Sequence, residues 1–266
     1  MAGAMDVGWR AAPRAGSRNG LPKGWVVRCR ERAVSLGRQA LPQSCTLCAA
    51  HAGVDLVCDP CVEALLRNAQ SCPQCASPLA AGQGEGQGQA CRACAAMTPA
   101  FDATEAAFVY AFPLDRLIQA CKYNGNLSLT GWFAEQMIAN RAVLPAADVI
   151  VAMPLAPKRQ RQRGFNHALE IARGLSRHTG IPLEAESLRR VRETPAQATL
   201  PWIARAINVS GAFAADASFR GKVVIVVDDV MTTGASLDEV ARTLKGAGAT
   251  RVENWLVART PPPADD

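Results

Sequence analysis

Two acidic residues, Asp228 and Asp229, follow a run of five branched apolar residues at Val223–Val227. A run of this kind predicts a strand that is buried on both faces, with the two carboxylates at its tip. Carboxylates in that position can accept hydrogen bonds from the vicinal hydroxyls of a sugar and can lie close to a divalent cation. The pair therefore predicts a binding site for a ribose-like diol.

A turn rich in hydroxyl side chains comes next, and a helix follows it. This hydroxyl turn consists of Val230, Met231, Thr232, Thr233, Gly234, Ala235 and Ser236. Backbone N–H groups and hydroxyls at a helix start form a cradle for a phosphate at the positive end of the helix dipole. A Walker A loop and the G-x-G-x-x-G fingerprint are both missing at this turn. The order of features predicts a pocket for a sugar phosphate; the alternative is a solvated strand end with a simple helix cap.

Eight of the ten cysteines form four C-x2-C pairs within fifty residues. They are Cys45, Cys48, Cys58, Cys61, Cys72, Cys75, Cys91 and Cys94. Two C-x2-C turns complete the tetrahedral four-sulfur shell of structural Zn2+, so four turns predict two zinc sites. We expect the first two pairs to share one site and the last two the other; a crossed pairing is the alternative. A disulfide framework would need an oxidising compartment, and closed four-sulfur sites favour a metal that stabilises the fold.

From Phe101 onward, apolar strands alternate with amphipathic helices, a pattern typical of an α/β fold with a parallel sheet. The predicted strands are 106–112, 149–154, 222–227 and 252–258. The predicted helices are 114–123, 129–139, 168–178 and 236–247. Ligands in such folds bind beyond the carboxyl ends of the strands, where both the aspartates and the hydroxyl turn fall.

Four cations, Lys158, Arg159, Arg161 and Arg163, occupy a stretch of six residues just after a predicted strand. Their loop should face the same edge of the sheet, and an arginine fork can hold two phosphate oxygens at once. We expect a pyrophosphate group there, held chiefly by Arg161 and Arg163. A solvated charged face is the alternative for the other two.

Three residues beside these elements have structural interpretations as well as functional ones. Lys122 ends the first predicted helix and can reach a phosphate, whereas Gly125 suits the C-cap of that helix. Asn166 precedes the helix predicted at 168–178, and we expect it to cap that helix.

The net charge of +6 is confined to one end of the chain. Of 29 Lys and Arg and 23 Asp and Glu, residues 1–44 hold eight and two, which leaves the rest neutral. We predict that 1–44 is a poorly ordered basic extension with a short helix around Trp25–Leu41; a transit peptide is the alternative. The overall charge therefore gives no evidence for a nucleic-acid partner. No apolar run is long enough to span a membrane, from which we predict a cytoplasmic protein.

The run from Val223 to Ser236 resembles the motif that binds phosphoribosyl pyrophosphate (PRPP) in type I phosphoribosyltransferases. Three further features are similar to the ComF family: the cysteine pairs, Arg161-x-Arg163-Gly164-Phe165-Asn166 after Met153-Pro154, and Arg192-x-Thr194-x-x-Gln197-x-x-Leu200 before Arg205-x-x-Asn208. The resemblance covers nearly everything from Cys45 to Arg259.

The resemblance implies a type I phosphoribosyltransferase-like domain over 101–260, preceded by a double zinc ribbon over 45–98. Asp228 and Asp229 would then be catalytic residues that hold the ribose hydroxyls, and the hydroxyl turn would bind the 5-phosphate. Mg2+ is implied together with PRPP, and a mobile hood over the site is implied for Arg189–Ser210.

Three functions remain open from the sequence. One is transfer of the phosphoribosyl group from PRPP to an acceptor. Another is a role as a competence factor that handles single-stranded DNA and uses the fold as a PRPP sensor or scaffold, since ComF-like proteins are associated with DNA uptake. In the third, the zinc ribbon docks a helicase-like partner. Aromatic residues make up only 5% of the chain, which disfavours a long base-stacking platform.

Overall fold

The structure is a computed structural model that describes residues 43–79, 89–123, 125–139, 141, 146–156, 160–161, 164–192 and 209–262. The predicted basic extension and its helix at Trp25–Leu41 lie outside the described residues. So do most of the glycine-rich insert between the third and fourth cysteine pairs and the middle of the predicted hood.

The core of the fold is a four-stranded parallel sheet with the strand order β1-β6-β5-β2. Its strands are β1 (Ala103–Val109), β2 (Val149–Ala152), β5 (Val223–Met231) and β6 (Arg251–Arg259). Two short strands, β3 (Leu188–Arg190) and β4 (Phe213–Ala215), form a separate antiparallel pair. The predicted α/β fold with a parallel sheet is confirmed.

Six α-helices lie among the described residues, together with one short 3-10 helix at Ala217–Phe219. They are α1 (Asp59–Glu63), α2 (Arg92–Ala96), α3 (Leu114–Tyr123), α4 (Ser128–Ala139), α5 (His167–Thr179) and α6 (Ala235–Gly246). The four longer helices begin and end within one residue of their predicted positions. This agreement follows from the apolar face that each presents at helical spacing, as in α3, where Leu114, Leu117 and Cys121 are buried.

Two strands differ most from their predicted bounds. β1 begins at Ala103, three residues before the predicted start, because residues from Ala103 onward pair in register with β6. It ends before Phe112, whose side chain is 74% exposed. β5 continues four residues past its predicted end, since β6 pairs with it as far as Met231. The added strand residues include small and charged side chains, such as Ala103 and Asp228, and a search for apolar runs does not detect them.

The sheet is covered on both faces, as a buried parallel sheet requires. Alternate residues of β5 belong to two clusters: Val224 and Val226 face α6, whereas Ile225 and Val227 face α4 and α5. Helices α4 and α5 approach each other closely at Gly174, where an added Cβ would lie 2.7 Å from the Cβ of Ala134.

The cysteine-rich region adds to both clusters and covers the outer edge of β1. Cys45 belongs to the cluster of α4 and α5, and Cys72 belongs to the cluster of α6. Residues 66–73 run antiparallel along β1, with hydrogen bonds such as Val109 N to Leu66 O at 2.9 Å and Thr104 N to Pro73 O at 3.1 Å. An edge strand that would otherwise present unpaired N–H and C=O groups is thereby paired.

Among the described helices, none combines the length and the apolar character needed to cross a bilayer.

Candidate functional site

The aspartate pair stands where β5 loses one of its two neighbours. β2 pairs with β5 only as far as Val227, whereas β6 continues beyond the aspartates. Asp228 and Asp229 therefore belong to the strand itself but lie at its carboxyl end, beyond the last residue of β2. Backbone amides orient both carboxylates: Asp229 N donates to Asp228 Oδ1 at 2.8 Å, and Val230 N donates to Asp229 Oδ1 at 2.7 Å.

Lys122 reaches this pair from the last turn of α3. Its Nζ lies 2.7 Å from Asp229 Oδ2, and both side chains are about one fifth exposed or less, at 21% and 17%. The sequence predicted a phosphate contact for Lys122, and in the structure the lysine is paired with Asp229. A cation at this position offsets part of the repulsion between the neighbouring carboxylates.

Asp228 is the more perturbed of the two carboxyls. Burial and the neighbouring charge of Asp229 raise its pKa to about 7, although the Asp229 amide and Lys122 act in the opposite direction. A carboxyl with this pKa is partly protonated near neutral pH. Any cation or hydroxyl group that binds the ionised form would be bound more tightly as the pH rises through this value.

The hydroxyl turn follows directly and ends in the first turn of α6. Gly234 is the N-cap of α6 and has φ +84°, a left-handed conformation that favours glycine. An added Cβ at Gly234 would lie only 2.4 Å from Cε of Met231. Thr233 Oγ1 accepts a hydrogen bond from Ala235 N at 3.4 Å. The backbone conformation therefore favours glycine here, whereas the contact with Met231 involves only the far end of a flexible side chain.

The amides of the turn are available to an anion. Within the described part of the chain, the backbone N–H groups of Thr232, Thr233 and Gly234 donate to no protein acceptor. They precede a twelve-residue helix, whose dipole places a partial positive charge at this end. Amides without a protein acceptor at the start of a helix are the kind of donor that binds phosphate in proteins.

The arginine loop is described only in part. Arg161 is exposed, whereas Lys158, Arg159 and Arg163 lie outside the described residues. Asn166 is the N-cap residue of α5, but its side chain makes no capping hydrogen bond. Its Nδ2 donates instead to Met153 O at 3.0 Å, so the predicted cap was wrong. The side chain ties the start of α5 to the chain just after β2.

The predicted hood is described only at its two ends. At one end lie Arg189, Arg190 and Arg192, of which Arg190 places its guanidinium 5.5 Å from the ring centre of Phe213. Arg192 Nη2 donates to the carbonyl of Ser210, and Val191 N donates to Ala212 O at 2.8 Å. The two ends are therefore held together. The candidates between them, Thr194, Gln197, Leu200, Arg205 and Asn208, lie outside the described residues.

The cysteines form two groups of four, paired sequentially as predicted. The first cysteine group is Cys45, Cys48, Cys58 and Cys61, and the second cysteine group is Cys72, Cys75, Cys91 and Cys94. Within each group all sulfurs lie within 4.8 Å of one another. Tetrahedral coordination with Zn–S bonds of about 2.3 Å places sulfurs about 3.8 Å apart, close to the 3.6 Å between Cys48 and Cys58 and the 3.7 Å between Cys75 and Cys91. Both groups fit Zn2+.

The thiols of each group differ in the direction in which their pKa values are shifted. A hydrogen bond from Cys75 lowers the pKa of Cys72 to about 4, while burial raises that of Cys94 to about 12. Burial likewise raises the pKa of Cys61 to about 12, whereas for Cys45 burial is outweighed by backbone hydrogen bonds, which lower the pKa to about 6. Close thiols cannot all ionise without a cation among them, which is the electrostatic condition that a divalent metal satisfies.

Two further features went unnoticed in the sequence. Arg259, the last residue of β6, is only 8% exposed and donates to the carbonyls of both Cys75 and Met231. A cavity of about 380 Å³ lies at the outer edge of β1 and is lined in part by Arg67, Glu105 and Arg141. None of the site residues predicted from the sequence lines it. Single arginines in ordinary apolar surroundings carry no motif, so no pattern pointed to either feature.

The later part of the chain matches a known family of domains. The sequence model of the phosphoribosyl transferase domain matches residues 162–262, which confirms the predicted type I phosphoribosyltransferase-like fold. The solved structure of the glutamine PRPP amidotransferase of B. subtilis with ADP and GMP is 25% identical with a TM-score of 0.35, covering 49% of this chain and 26% of that one.

Two curated relatives extend over most of the chain. The DNA utilization protein YhgH of Salmonella typhi is 30% identical over 231 residues, which cover 83% of this chain and 98% of that protein. Competence protein F of Haemophilus influenzae is 29% identical over 218 residues, covering 79% of this chain and 93% of that protein. On this identity and shared length, the chain belongs to the ComF family of competence protein F and its relatives.

Proposed function

We propose that this protein binds PRPP together with Mg2+ at the carboxyl end of β5. The ribose hydroxyls would donate hydrogen bonds to Asp228 and Asp229, and the 5-phosphate would accept hydrogen bonds from the amides and hydroxyls of the hydroxyl turn. The proposal assigns these roles to a domain over 101–260 and two zinc ions to a ribbon region over 45–98.

The observation that carries the proposal is the juxtaposition of two carboxylates and three unbonded amides on one strand end. The carboxylates are oriented by backbone N–H groups at 2.7 and 2.8 Å. In the described residues the amides of Thr232, Thr233 and Gly234 have no protein acceptor. The carboxylates accept hydrogen bonds and the free amides donate them. A sugar phosphate offers the matching groups, with hydroxyl donors at one end and phosphate acceptors at the other.

Mg2+ fits the acidic end of this site. It is commonly held by one or two carboxylates plus the phosphates of a substrate, and Asp228 and Asp229 supply carboxylate oxygens there. When bound with PRPP it would neutralise charge on the pyrophosphate, which leaves C1 as a nucleophile forms its bond there. Lys122 would add a second cation, because its pairing with Asp229 at 2.7 Å holds its ammonium at the same end.

Calorimetric and thermal-shift titrations with PRPP and Mg2+ test this proposal. PRPP at about one hundred times its dissociation constant should stabilise the folded protein by about 2.7 kcal/mol. Asp229→Asn should remove most of that stabilisation, while Glu135→Gln, an exposed carboxylate on α4, serves as the matched control. Pyrophosphate release on addition of candidate acceptors then separates transfer from binding. A wild-type protein without any PRPP shift would contradict the proposal.

The names of the two relatives supply a second candidate: handling of single-stranded DNA, with the PRPP site acting as a sensor or scaffold. The curated proteins are a DNA utilization protein and a competence protein. DNA binding of this kind should weaken steeply with salt and should also weaken on Arg161→Glu, because neutralised phosphates release counterions. Salt-independent binding, or pyrophosphate release without DNA, would exclude it. A helicase-like partner on the ribbons is tested separately by co-purification.

A further inference from the structure

Arg259 joins three parts of the molecule through backbone carbonyls. Its Nε donates to Cys75 O at 2.9 Å, and its Nη1 donates to Met231 O at 3.1 Å, to Thr260 O at 2.7 Å and to the carbonyl of Thr232. The guanidinium thus lies between a residue of the second cysteine group and the start of the hydroxyl turn.

The contacts to the turn fix the direction of its amides. In a planar trans peptide the carbonyl and the following N–H point in opposite directions. Arg259 draws the carbonyls of Met231 and Thr232 to its own side, so the N–H groups of Thr232 and Thr233 must point to the opposite side. These are two of the three amides that have no protein acceptor among the described residues. Arg259 therefore orients the donors of the proposed phosphate cradle from behind.

The charge of Arg259 also needs a counter-charge. The residue is 8% exposed, and among the described residues no carboxylate forms an ion pair with it. Four thiolates around one Zn2+ carry a net charge of −2, whereas four protonated thiols carry none. A metal in the second cysteine group would therefore stabilise the buried guanidinium across the Cys75 carbonyl.

A second connection follows the chain that leaves the second cysteine group. Ala100 N donates to Asp238 Oδ1 of α6 at 2.6 Å, and Asp102 accepts from Val252 N at 2.8 Å and pairs with Lys245 at 2.9 Å. The segment from Ala100 to Asp102 is thus fastened to the helix whose first turn completes the cradle. Arg259 thus contacts the start of the turn, and this segment contacts the helix that follows it.

We propose that Arg259 is a positioning residue through which the second cysteine group, when it holds zinc, orders the phosphate-binding amides of the hydroxyl turn. The ligand part of this inference rests on the proposed PRPP site. The metal part does not, because the charge of Arg259 and the zinc site stabilise each other whether or not PRPP binds. Coupling of this kind is reciprocal.

The test compares Arg259→Gln with Arg251→Gln in the full-length, zinc-loaded protein. Arg251 lies at the opposite end of β6, and its side chain is 48% exposed and paired with Glu253. Transfer of zinc to a colorimetric chelator is followed in time. We expect Arg259→Gln to release one of its two zinc ions about tenfold faster than wild type while the other is unchanged, so that the first cysteine group serves as an internal reference. Arg251→Gln should behave as wild type.

Affinity for PRPP with Mg2+ is measured on the same proteins and should fall about tenfold in Arg259→Gln. Arg259→Lys keeps the charge but loses the fork, and it should retain both zinc ions while still weakening PRPP binding. If Arg259→Gln does not fold, this lysine variant decides: unchanged PRPP affinity would overturn the inference. Equal acceleration of both zinc ions, or of neither, would also overturn it. A wild type that binds no PRPP defeats the proposed function alone, and the zinc comparison still decides whether Arg259 acts on the metal site.

Discussion

The two cysteine groups have the same ligands but different surroundings. In the first, only Cys45 is buried and Cys48 is exposed, and the group adjoins the cluster of α4 and α5. In the second, three of the four cysteines are buried, and the carbonyl of Cys75 accepts from Arg259. Under the proposal above, the same metal chemistry would stabilise one part of the fold locally and, at the other site, support the proposed phosphate cradle. The surroundings of the two groups, rather than their ligands, would then account for the two roles.

The largest effect should come from removing one metal at a time. Cys72→Ser takes a fully buried thiol from the second group, and we expect loss of one zinc ion, a lower melting temperature and at least roughly tenfold weaker PRPP binding. Cys48→Ser should also lose one zinc ion, but PRPP affinity should stay within about twofold. Metal analysis, thermal unfolding and calorimetry give the three readouts. Equal losses of PRPP affinity in the two variants would contradict the proposed difference between the two cysteine groups.

Gly234→Ala acts on the cradle without touching a metal ligand. The left-handed conformation costs an alanine about 1–2 kcal/mol, and the flexible end of the Met231 side chain, which would lie 2.4 Å from the added Cβ, would have to shift. We therefore expect an unfolding free energy lower by about 2 kcal/mol and weaker PRPP binding, with both zinc ions retained. Gly211→Ala is the matched control, since Gly211 has φ +65° but open space around it, and it should show the conformational cost alone. Denaturant unfolding measures both.

Asp228→Asn should change PRPP binding and the pH dependence of stability without affecting either cysteine group. The pKa of Asp228 is raised to about 7 in the folded protein, so stability is lost progressively as the pH rises from about 4, the ordinary value, to about 7. Asparagine should raise the melting temperature at pH 8 by about 2–4 °C, corresponding to about 1 kcal/mol, and this gain should shrink below pH 7 and vanish near pH 4. Asp229→Asn, which loses the Lys122 ion pair, should show no such gain. PRPP binding should weaken in both variants.

Lys245→Met should give the smallest effect. Lys245 pairs with Asp102 at 2.9 Å, with side chains 35% and 29% exposed, and partly exposed ion pairs contribute about 0.2–1 kcal/mol. The expected loss of stability is about 0.5 kcal/mol, with unchanged zinc content and PRPP affinity within about twofold. Arg173→Met, which removes the partly exposed ion pair with Glu170 on α5 and touches neither Asp102 nor Asp238, is the control. A large loss of PRPP affinity in Lys245→Met would indicate that the Ala100–Asp102 segment, rather than Arg259, couples the second cysteine group to the phosphate-binding amides.

Local chemistry was the part of the fold and the site that the sequence predicted well. Two C-x2-C turns bring four thiols together by short-range geometry, and the sequential pairing of the cysteines was confirmed. The apolar run at Val223–Val227 likewise specified a central strand with Asp228 and Asp229 at its carboxyl end. Both predictions depend on residues that are close in the chain.

Contacts between distant residues were the part that the sequence could not predict. Lys122 and Asp229 lie far apart in the chain, and nothing near either indicates that they pair at 2.7 Å. Arg259 and Cys75 are 184 positions apart. Asn166 was misassigned for the same reason, because the capping rule considers only the following helix, whereas its amide bonds to Met153 at 3.0 Å.

The segment that runs along the outer side of β1 sets a limit on how the chain can be divided. Three backbone hydrogen bonds, from Asn68, Val109 and Thr104, fasten residues 66–73 to that strand. A shortened protein that starts at Phe101 would leave this row of donors and acceptors bare, and such rows recruit strands from other molecules. A protein that starts at Phe101 should therefore self-associate when it is expressed alone. The cysteine-rich part and the sheet have to be kept together in any shortened version of the protein.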